Sequence, residues 1–166
     1  GITAYSFSFH GSAETDGYYL IDGGSFGDTL KGGSQDDDID GNSGNDEMYG
    51  NAGDDALYGL SGVDTISGGT GYDTIYGGTD GDSLYGDDDC DVINGEAGSD
   101  YIHGGWGADT LIGGADADTL VGYKDADDMS GGAGADMFLY AETAEFGDFI
   151  LDFAFDGTHD EIGLDA

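Results

Sequence analysis

The stretch GGTGYDTIYGGTDGDSLYG, from Gly68 to Gly86, contains two nine-residue phrases in succession, each opening on Gly and closing on Tyr. Asp73 and Asp82 fall nine residues apart, as do Ile75 and Leu84. Extended in both directions, the frame holds for thirteen consecutive units without insertion, from Gly23 to Leu139. The first place is always Gly: Gly23, Gly32, Gly41, Gly50, Gly59, Gly68, Gly77, Gly86, Gly95, Gly104, Gly113, Gly122 and Gly131. The sixth is always Asp: Asp28, Asp37, Asp46, Asp55, Asp64, Asp73, Asp82, Asp91, Asp100, Asp109, Asp118, Asp127 and Asp136. The eighth is always apolar, from Leu30 to Phe138. A fixed short period of this kind marks a chain built from stacked repeats.

Each place has a physical reading. Gly at the first place suggests backbone angles with φ above zero and tight turning. The fourth place is Gly or Asp in most units, and Asp tolerates the left-handed region better than most residues. The last three places read as a short strand whose middle residue points inward, as in Thr65-Ile66-Ser67 and Thr74-Ile75-Tyr76. Each unit is then a turn carrying one carboxylate, followed by a three-residue strand with one core residue. A single unit cannot bury that residue; stacked units can. With two units per coil, residues eighteen apart become neighbours, which sets Asp64 beside Asp82 and Asp73 beside Asp91 along two opposite edges.

The composition sharpens the problem. The 166 residues include 35 Gly, no Pro, 2 basic and 37 acidic residues, for a net charge of -35. So many carboxylates repel one another strongly. The chain either stays disordered or is neutralised by bound cations, and 37% hydrophobic and 12% aromatic residues weigh against disorder. Carboxylates stacked at the strand spacing of about 5 Å repel by roughly 1 kcal/mol per pair even in water. With three His and one Cys, the ligands on offer are almost all oxygens, which favours calcium or magnesium over zinc or copper. Flexible coordination by roughly six to eight oxygens favours calcium. The charge makes nucleic acid and anionic membrane poor partners, and no stretch is long and apolar enough to span a bilayer. The single Cys90 excludes an internal disulfide. No H-E-x-x-H, G-x-S-x-G or G-x-x-x-x-G-K-[ST] motif occurs, so the chain reads as no enzyme.

Gly68 to Tyr76 fits the pattern G-G-x-G-x-D-x-U-x, with U a large apolar residue, place for place, and Gly131 to Leu139 does too. Over Gly23 to Leu139 the chain resembles the RTX (repeat-in-toxin) family of bacterial exported proteins. The tail GDFILDFAFDGTHDEIGLDA, Gly147 to Ala166, is similar to the segment closing the roll in serralysin-type proteases and alginate epimerases. The shared elements are Asp148-Phe149-Ile150, Asp152-Phe153 and Asp160-Glu161-Ile162-Gly163-Leu164, with Gly163 where an acidic residue is common. The resemblance implies an all-β fold, a right-handed parallel β-roll, with calcium between the turns. Each ion would be held by sixth-place Asp residues and backbone carbonyls of two loops. The ligands implied are Asp46, Asp55, Asp64, Asp73, Asp82, Asp91, Asp100, Asp109, Asp118, Asp127 and Asp136. The carbonyls come from the Gly-rich turns, including Gly41, Gly50, Gly59, Gly68, Gly77, Gly86, Gly95, Gly104, Gly113, Gly122 and Gly131. Thirteen loops split seven and six between the edges leave at most eleven intervals for ions. Phe26 and Gln35 occupy the fourth places of the first two units, so Asp28 and Asp37 are expected to bind weakly or not at all. The resemblance further implies type I export of an unfolded chain without a cleaved signal, and folding on extracellular calcium, so that the protein is secreted, extracellular or at the cell surface.

The domain organisation expected is an N-terminal capping strand and degenerate coil over 1–22, the thirteen repeats over 23–139, and a C-terminal cap over 140–166. Tyr5, Phe7 and Phe9 alternate with serines, and Glu14 to Asp22 puts Gly17 and Ile21 in frame. Phe146, Phe149, Ile150, Phe153 and Phe155 are expected to cover the far end, with the tail lying over outward Ile112, Val121, Met137 and Leu139. The ends either cap the roll or act as edges for self-assembly. Two functions follow: a non-catalytic calcium-binding module, linked to an upstream catalytic domain; or a self-assembling extracellular structural protein, joining copies of itself into a fibre or surface layer. Outward Tyr49, Tyr58, Tyr76 and Tyr85 suit cross-strand packing, or stacking on an extracellular polysaccharide. Trp106 is expected to pack at the surface or a cap, and His10, His103 and His159 are not expected to be ligands. Cys90 lacks a basic neighbour to activate it. Asp36, Asp38, Asp40, Gly41 and Glu47 match EF-hand spacing, but the Gly-rich turns around them leave no room for the flanking helices.

Overall fold

The structure is a computed structural model and describes residues 8–10, 17–140, 148–153 and 160–164. Among these there are seventeen strands and no helix. The chain opens with β1 (Ser8–His10), β2 (Leu20–Gly24), β3 (Thr29–Lys31) and β4 (Asp38–Asn42). Ten six-residue strands follow, from β5 (Glu47–Ala52) to β14 (Asp128–Ala133), and then β15 (Met137–Tyr140), β16 (Phe149–Ile150) and β17 (Glu161–Leu164). Odd-numbered strands form one parallel sheet of nine and even-numbered strands a second of eight. Within the repeats, partners are eighteen residues apart, as in Ile66↔Leu84↔Ile102 and Leu57↔Ile75↔Ile93. This is a parallel β-roll, wound two units to the coil.

The thirteen eighth-place side chains, Leu30 through Phe138, are fully buried and stack in one column between the sheets. Ile21 extends the column by one unit, half a coil, at the start, where β2 pairs with β4. Ile150 and Phe153 pack against it at the end, with the Phe153 ring 6.3 Å from that of Phe138. Each buried aliphatic side chain contributes about 1.5–3 kcal/mol.

Two local expectations are corrected. The strand is six residues long, running from the seventh place through the third place of the next unit. The first-place Gly is therefore a strand residue on the inward face, and its φ is not in the left-handed region. It must be Gly because a Cβ would have nowhere to go: at Gly59 it would lie 2.5 Å from Asp64 Oδ2 and 2.5 Å from the Gly77 carbonyl oxygen. The left-handed places are the second and the fourth. The second holds Gly69 (φ 116) and Gly78 (φ 117) but also Leu60 (φ 73), Glu96 (φ 71) and Tyr123 (φ 84).

The described tail residues add one strand to each sheet. β16 pairs with β14 and β17 with β15, setting Ile150 beside Met129 and Ile162 beside Phe138. Phe149 faces outward, 64% exposed, because it falls on the outward phase of its strand. Tyr5, Phe7, Phe146, Phe155 and His159 lie outside the described residues. The EF-hand spacing has no helical context here: Asp38–Asn42 is β4 and Glu47 opens β5.

Candidate metal centre

All thirteen sixth-place Asp residues are buried, none more than 4% exposed. The turn folds each carboxylate back into the roll. In the eleven from Asp46 to Asp136, Oδ1 accepts the backbone N–H of the Asp one coil earlier, at 2.7–3.0 Å: Asp46 N–H to Asp64, Asp64 to Asp82, Asp82 to Asp100, and likewise along the other edge from Asp37 to Asp127. Asp37 Oδ1 accepts the Tyr19 N–H instead, at 2.7 Å. Each sixth-place carbonyl from Asp28 to Asp118 meanwhile accepts from the seventh-place N–H nineteen residues on, as Asp55 does from Thr74 at 2.8 Å, and those of Asp127 and Asp136 accept from the tail N–H groups of Phe149 and Glu161. The Asp residues are thus placed by the sheet ladder itself.

The other carboxylate oxygen has no such use. Among the described residues, the buried Oδ2 atoms of Asp46, Asp55, Asp64, Asp73, Asp82, Asp91, Asp100, Asp109, Asp118, Asp127 and Asp136 make no hydrogen bond. A buried carboxylate oxygen without a donor is costly. The consequence shows in the proton affinities. Burial is the largest cause, with neighbouring carboxylates adding to it and the backbone hydrogen bond opposing. Asp55 and Asp64 are pushed up to about 6, Asp73, Asp82, Asp109, Asp118 and Asp127 to about 7, and Asp91 to about 8. Asp46, Asp100 and Asp136 are raised as well.

The first coil differs. Asp37 Oδ2 accepts the Gly33 N–H at 2.6 Å, so that oxygen is already engaged. No three His, Cys, Asp or Glu side chains converge on one point among the described residues. A cation here would take one carboxylate from each of two coils and fill its shell with turn carbonyls. Buried, donorless carboxylate oxygens in stacked pairs fit a hard divalent cation.

Three further carboxylates join the ladders, none singled out as a ligand in the sequence. Asp127 N–H donates to Asp148 Oδ1 at 3.2 Å and Asp136 N–H to Asp160 Oδ1 at 3.1 Å, so the tail supplies one more rung on each edge. Asp152 accepts from Ser130 Oγ at 2.8 Å and from the Gly131 and Gly132 N–H groups, both at 2.9 Å. These spacings of 21, 24 and 22 residues or fewer break the eighteen-residue frame; the signal in the sequence was the Asp-Phe and Asp-Glu-Ile phrasing of the tail. Replacing Asp152 by Ala removes a half-buried, charge-assisted acceptor. The expected cost is about 2–4 kcal/mol, read as a lower melting temperature in saturating calcium together with earlier proteolytic cleavage after residue 140.

The fifth place, variable in sequence, forms an outer ladder of opposite sense. Asp36 Oδ1 accepts the Asp54 N–H at 3.0 Å, Asp54 Oδ1 accepts that of Tyr72 at 2.9 Å, and Cys90 Sγ accepts that of Ala108 at 3.3 Å. Tyr58 and Tyr76 stack at 5.3 Å with parallel planes, and Ser67 separates Tyr49 from Tyr85 on the other sheet. His103 packs between Tyr85 and Tyr123, and burial lowers its proton affinity.

Coils of two nine-residue turns, each turn with a buried carboxylate, define a cation-binding repeat solenoid. The family description RTX calcium-binding nonapeptide repeat (4 copies) matches residues 22–57, 58–89, 76–111, 85–120 and 103–138. The chain belongs to this family and is a calcium-binding β-roll. A search of curated proteins found no match. No helix is long and apolar enough to cross a membrane among the described residues.

Proposed function

We propose that the roll is a calcium-triggered folding module of a secreted protein, and that the eleven donorless Asp oxygens are its ligands. The observation that carries this reading is the orphaned Oδ2 on Asp46 through Asp136, at nine-residue intervals. Turn carbonyls of the Gly-rich loops complete each site, and Asp28 and Asp37 contribute least. Bound between the turns, calcium supplies positive charge opposite two stacked carboxylates. The chain's own part is to hold those carboxylates: Oδ1 is fixed by a backbone N–H, the apolar column sets the coil spacing, and the first-place Gly leaves Oδ2 its room. Where calcium is scarce the carboxylates repel and the chain stays open; where it is abundant, binding free energy becomes folding free energy. This suits type I export followed by folding outside the cell, and a non-catalytic role beside a catalytic domain. The divisions 1–22, 23–139 and 140–166 then serve as entry cap, calcium roll and closing cap.

A second reading, end-to-end assembly of copies into a fibre or layer, is favoured by one observation. Exposed apolar side chains stand at both ends: Tyr18 and Leu20 at the start, Phe149, Leu151 and Ile162 at the finish. Calcium titration of chelator-stripped protein, followed by circular dichroism and light scattering with magnesium as control, tests both. A cooperative gain of β signal at roughly 10⁻⁴–10⁻³ M calcium, absent with magnesium, is expected. Scattering that grows over the same range supports assembly. A fully folded spectrum in chelator, unchanged by calcium, would falsify the folding mechanism.

A further inference from the structure

One patch of the roll departs from its own repeat. The third place of the unit is Ser, Thr or Ala in ten of thirteen units. The exceptions are Asp88, Trp106 and Lys124, and the sheet register sets them side by side in β9 (Ser83–Asp88), β11 (Tyr101–Trp106) and β13 (Thr119–Lys124). On the opposite edge the corresponding residues of neighbouring units are Ala97, Ala115 and Ala133. The coil therefore does not require these side chains. The same strands carry Asp87 (φ 78) and Tyr123 (φ 84) in the left-handed region, a conformation that costs a non-Gly residue about 1–3 kcal/mol. Tyr123 meets the Trp106 ring edge-on at 6.3 Å.

Beside them lies a depression of about 360 Å³, lined by Asp88, Asp89, Cys90, Trp106, Gly107 and Asp125. Asp89, Gly107 and Asp125 are successive fourth-place residues of this edge, so bare Gly107 forms a floor between two carboxylates. Trp106, 56% exposed and the chain's sole tryptophan, forms a wall. Lys124, one of two basic residues, has its Nζ 5.8 Å from the indole centroid.

We propose that this depression binds one neutral pyranose ring of an oligosaccharide. A pyranose has an apolar C–H face, which suits the exposed indole, and a rim of hydroxyls. The hydroxyls donate charge-assisted hydrogen bonds to Asp88, Asp89 and Asp125. The volume lies at the small end of ligand pockets. Three carboxylates on a chain of net charge -35 exclude an anionic sugar, and Lys124 already fills the cation's place near the indole.

Because Trp106 is the sole tryptophan, its emission reports the site directly. Calcium-saturated full chain is titrated with cellohexaose, maltohexaose and chitohexaose, by fluorescence and calorimetry. At least one is expected to give a saturable emission change with Kd on the order of 10⁻⁵–10⁻³ M, worth about 4–7 kcal/mol. Trp106→Ala and, separately, Asp88→Asn are expected to weaken the calorimetric affinity at least about tenfold and about threefold, with an unchanged calcium-loaded circular dichroism spectrum. Asp88 is exposed, so its variant keeps the test intact where Trp106→Ala fails to fold. Tyr58→Ala, on the other sheet, is expected to leave binding unchanged. The proposal is overturned by no saturable signal with any of the three sugars, by binding that survives both pocket variants or is lost with Tyr58→Ala, or by spermine binding where the sugars do not.

Discussion

Gly59→Ala is expected to abolish, or shift to much higher calcium, the folding transition that the native chain undergoes. The added Cβ would sit 2.5 Å from Asp64 Oδ2 and 2.5 Å from the Gly77 carbonyl oxygen, closer than real Cβ contacts come. Neither neighbour has freedom to give. Gly77 belongs to the strand of the next coil, and Asp64 is pinned through Oδ1 by the Asp46 N–H at 2.8 Å. Backbone strain is not the cause, since Gly59 is outside the left-handed region. The cost is steric, about 3–5 kcal/mol by the overpacking scale and its upper tail, and it falls on the orphaned oxygen. Gly24→Ala is the matched control: its φ of 113 is unfavourable for Ala, but nothing lies within 4 Å of the new methyl. It is expected to cost about 1–2 kcal/mol. Denaturant unfolding of both variants in saturating calcium checks the order, and equal costs would sink the steric account.

Acid is expected to do in part what calcium does. In chelator, the β signal of the native chain should rise as the pH is lowered from about 9 to about 5. The buried Asp side chains hold protons more tightly in the folded roll than in the open chain, whose carboxylates titrate near their ordinary value of 3.8. A folded value raised above the unfolded one gives stability that is complete below the unfolded value. That stability is lost as the pH climbs through the folded values, here about 6 for Asp64, about 7 for Asp82 and about 8 for Asp91. The metal-free roll is therefore least stable at alkaline pH, and its transition should fall between about 6 and 8. The same protons compete for the oxygens that calcium needs, so the calcium midpoint should move to higher concentration on acidification. A β signal in chelator that is flat across this range, or that falls with acid, would contradict the burial of these groups.

The period of nine was legible because three chemical demands recur in phase: an inward methylene-rich side chain, a carboxylate, and the absence of a Cβ. The pairing of residues eighteen apart followed from the need to bury the eighth-place side chain, and the register of Ile66, Leu84 and Ile102 follows that rule. The role of each glycine was less legible. Gly at the first place advertises a bend, yet it serves as a straight strand residue whose missing side chain makes room for Asp. Conversely, Leu60 and Glu96 give no hint of the left-handed backbone they adopt, because their exposed side chains are chosen by other constraints. Asp148, Asp152 and Asp160 escaped the frame because the tail reaches its rungs over irregular lengths of chain, so only the fold brings them into line. The Trp106 depression was invisible for a related reason: its six lining residues lie on three different coils, and only the register collects them.

The alternation of the two sheets gives this chain a parity. Duplication of eighteen residues would lengthen the roll and leave every downstream residue on its original face. Duplication of nine would send each downstream unit to the opposite sheet while keeping the core column and both carboxylate edges intact. Tyr58 and Tyr76, now face to face at 5.3 Å, would part to opposite sides if a single unit were inserted between them, yet the chain would still fold. The core thus reads length in nines and the surface reads it in eighteens. Over evolutionary time such a gene can change its length by single units, but residues on either side of the insertion keep a common face only when units are added in pairs.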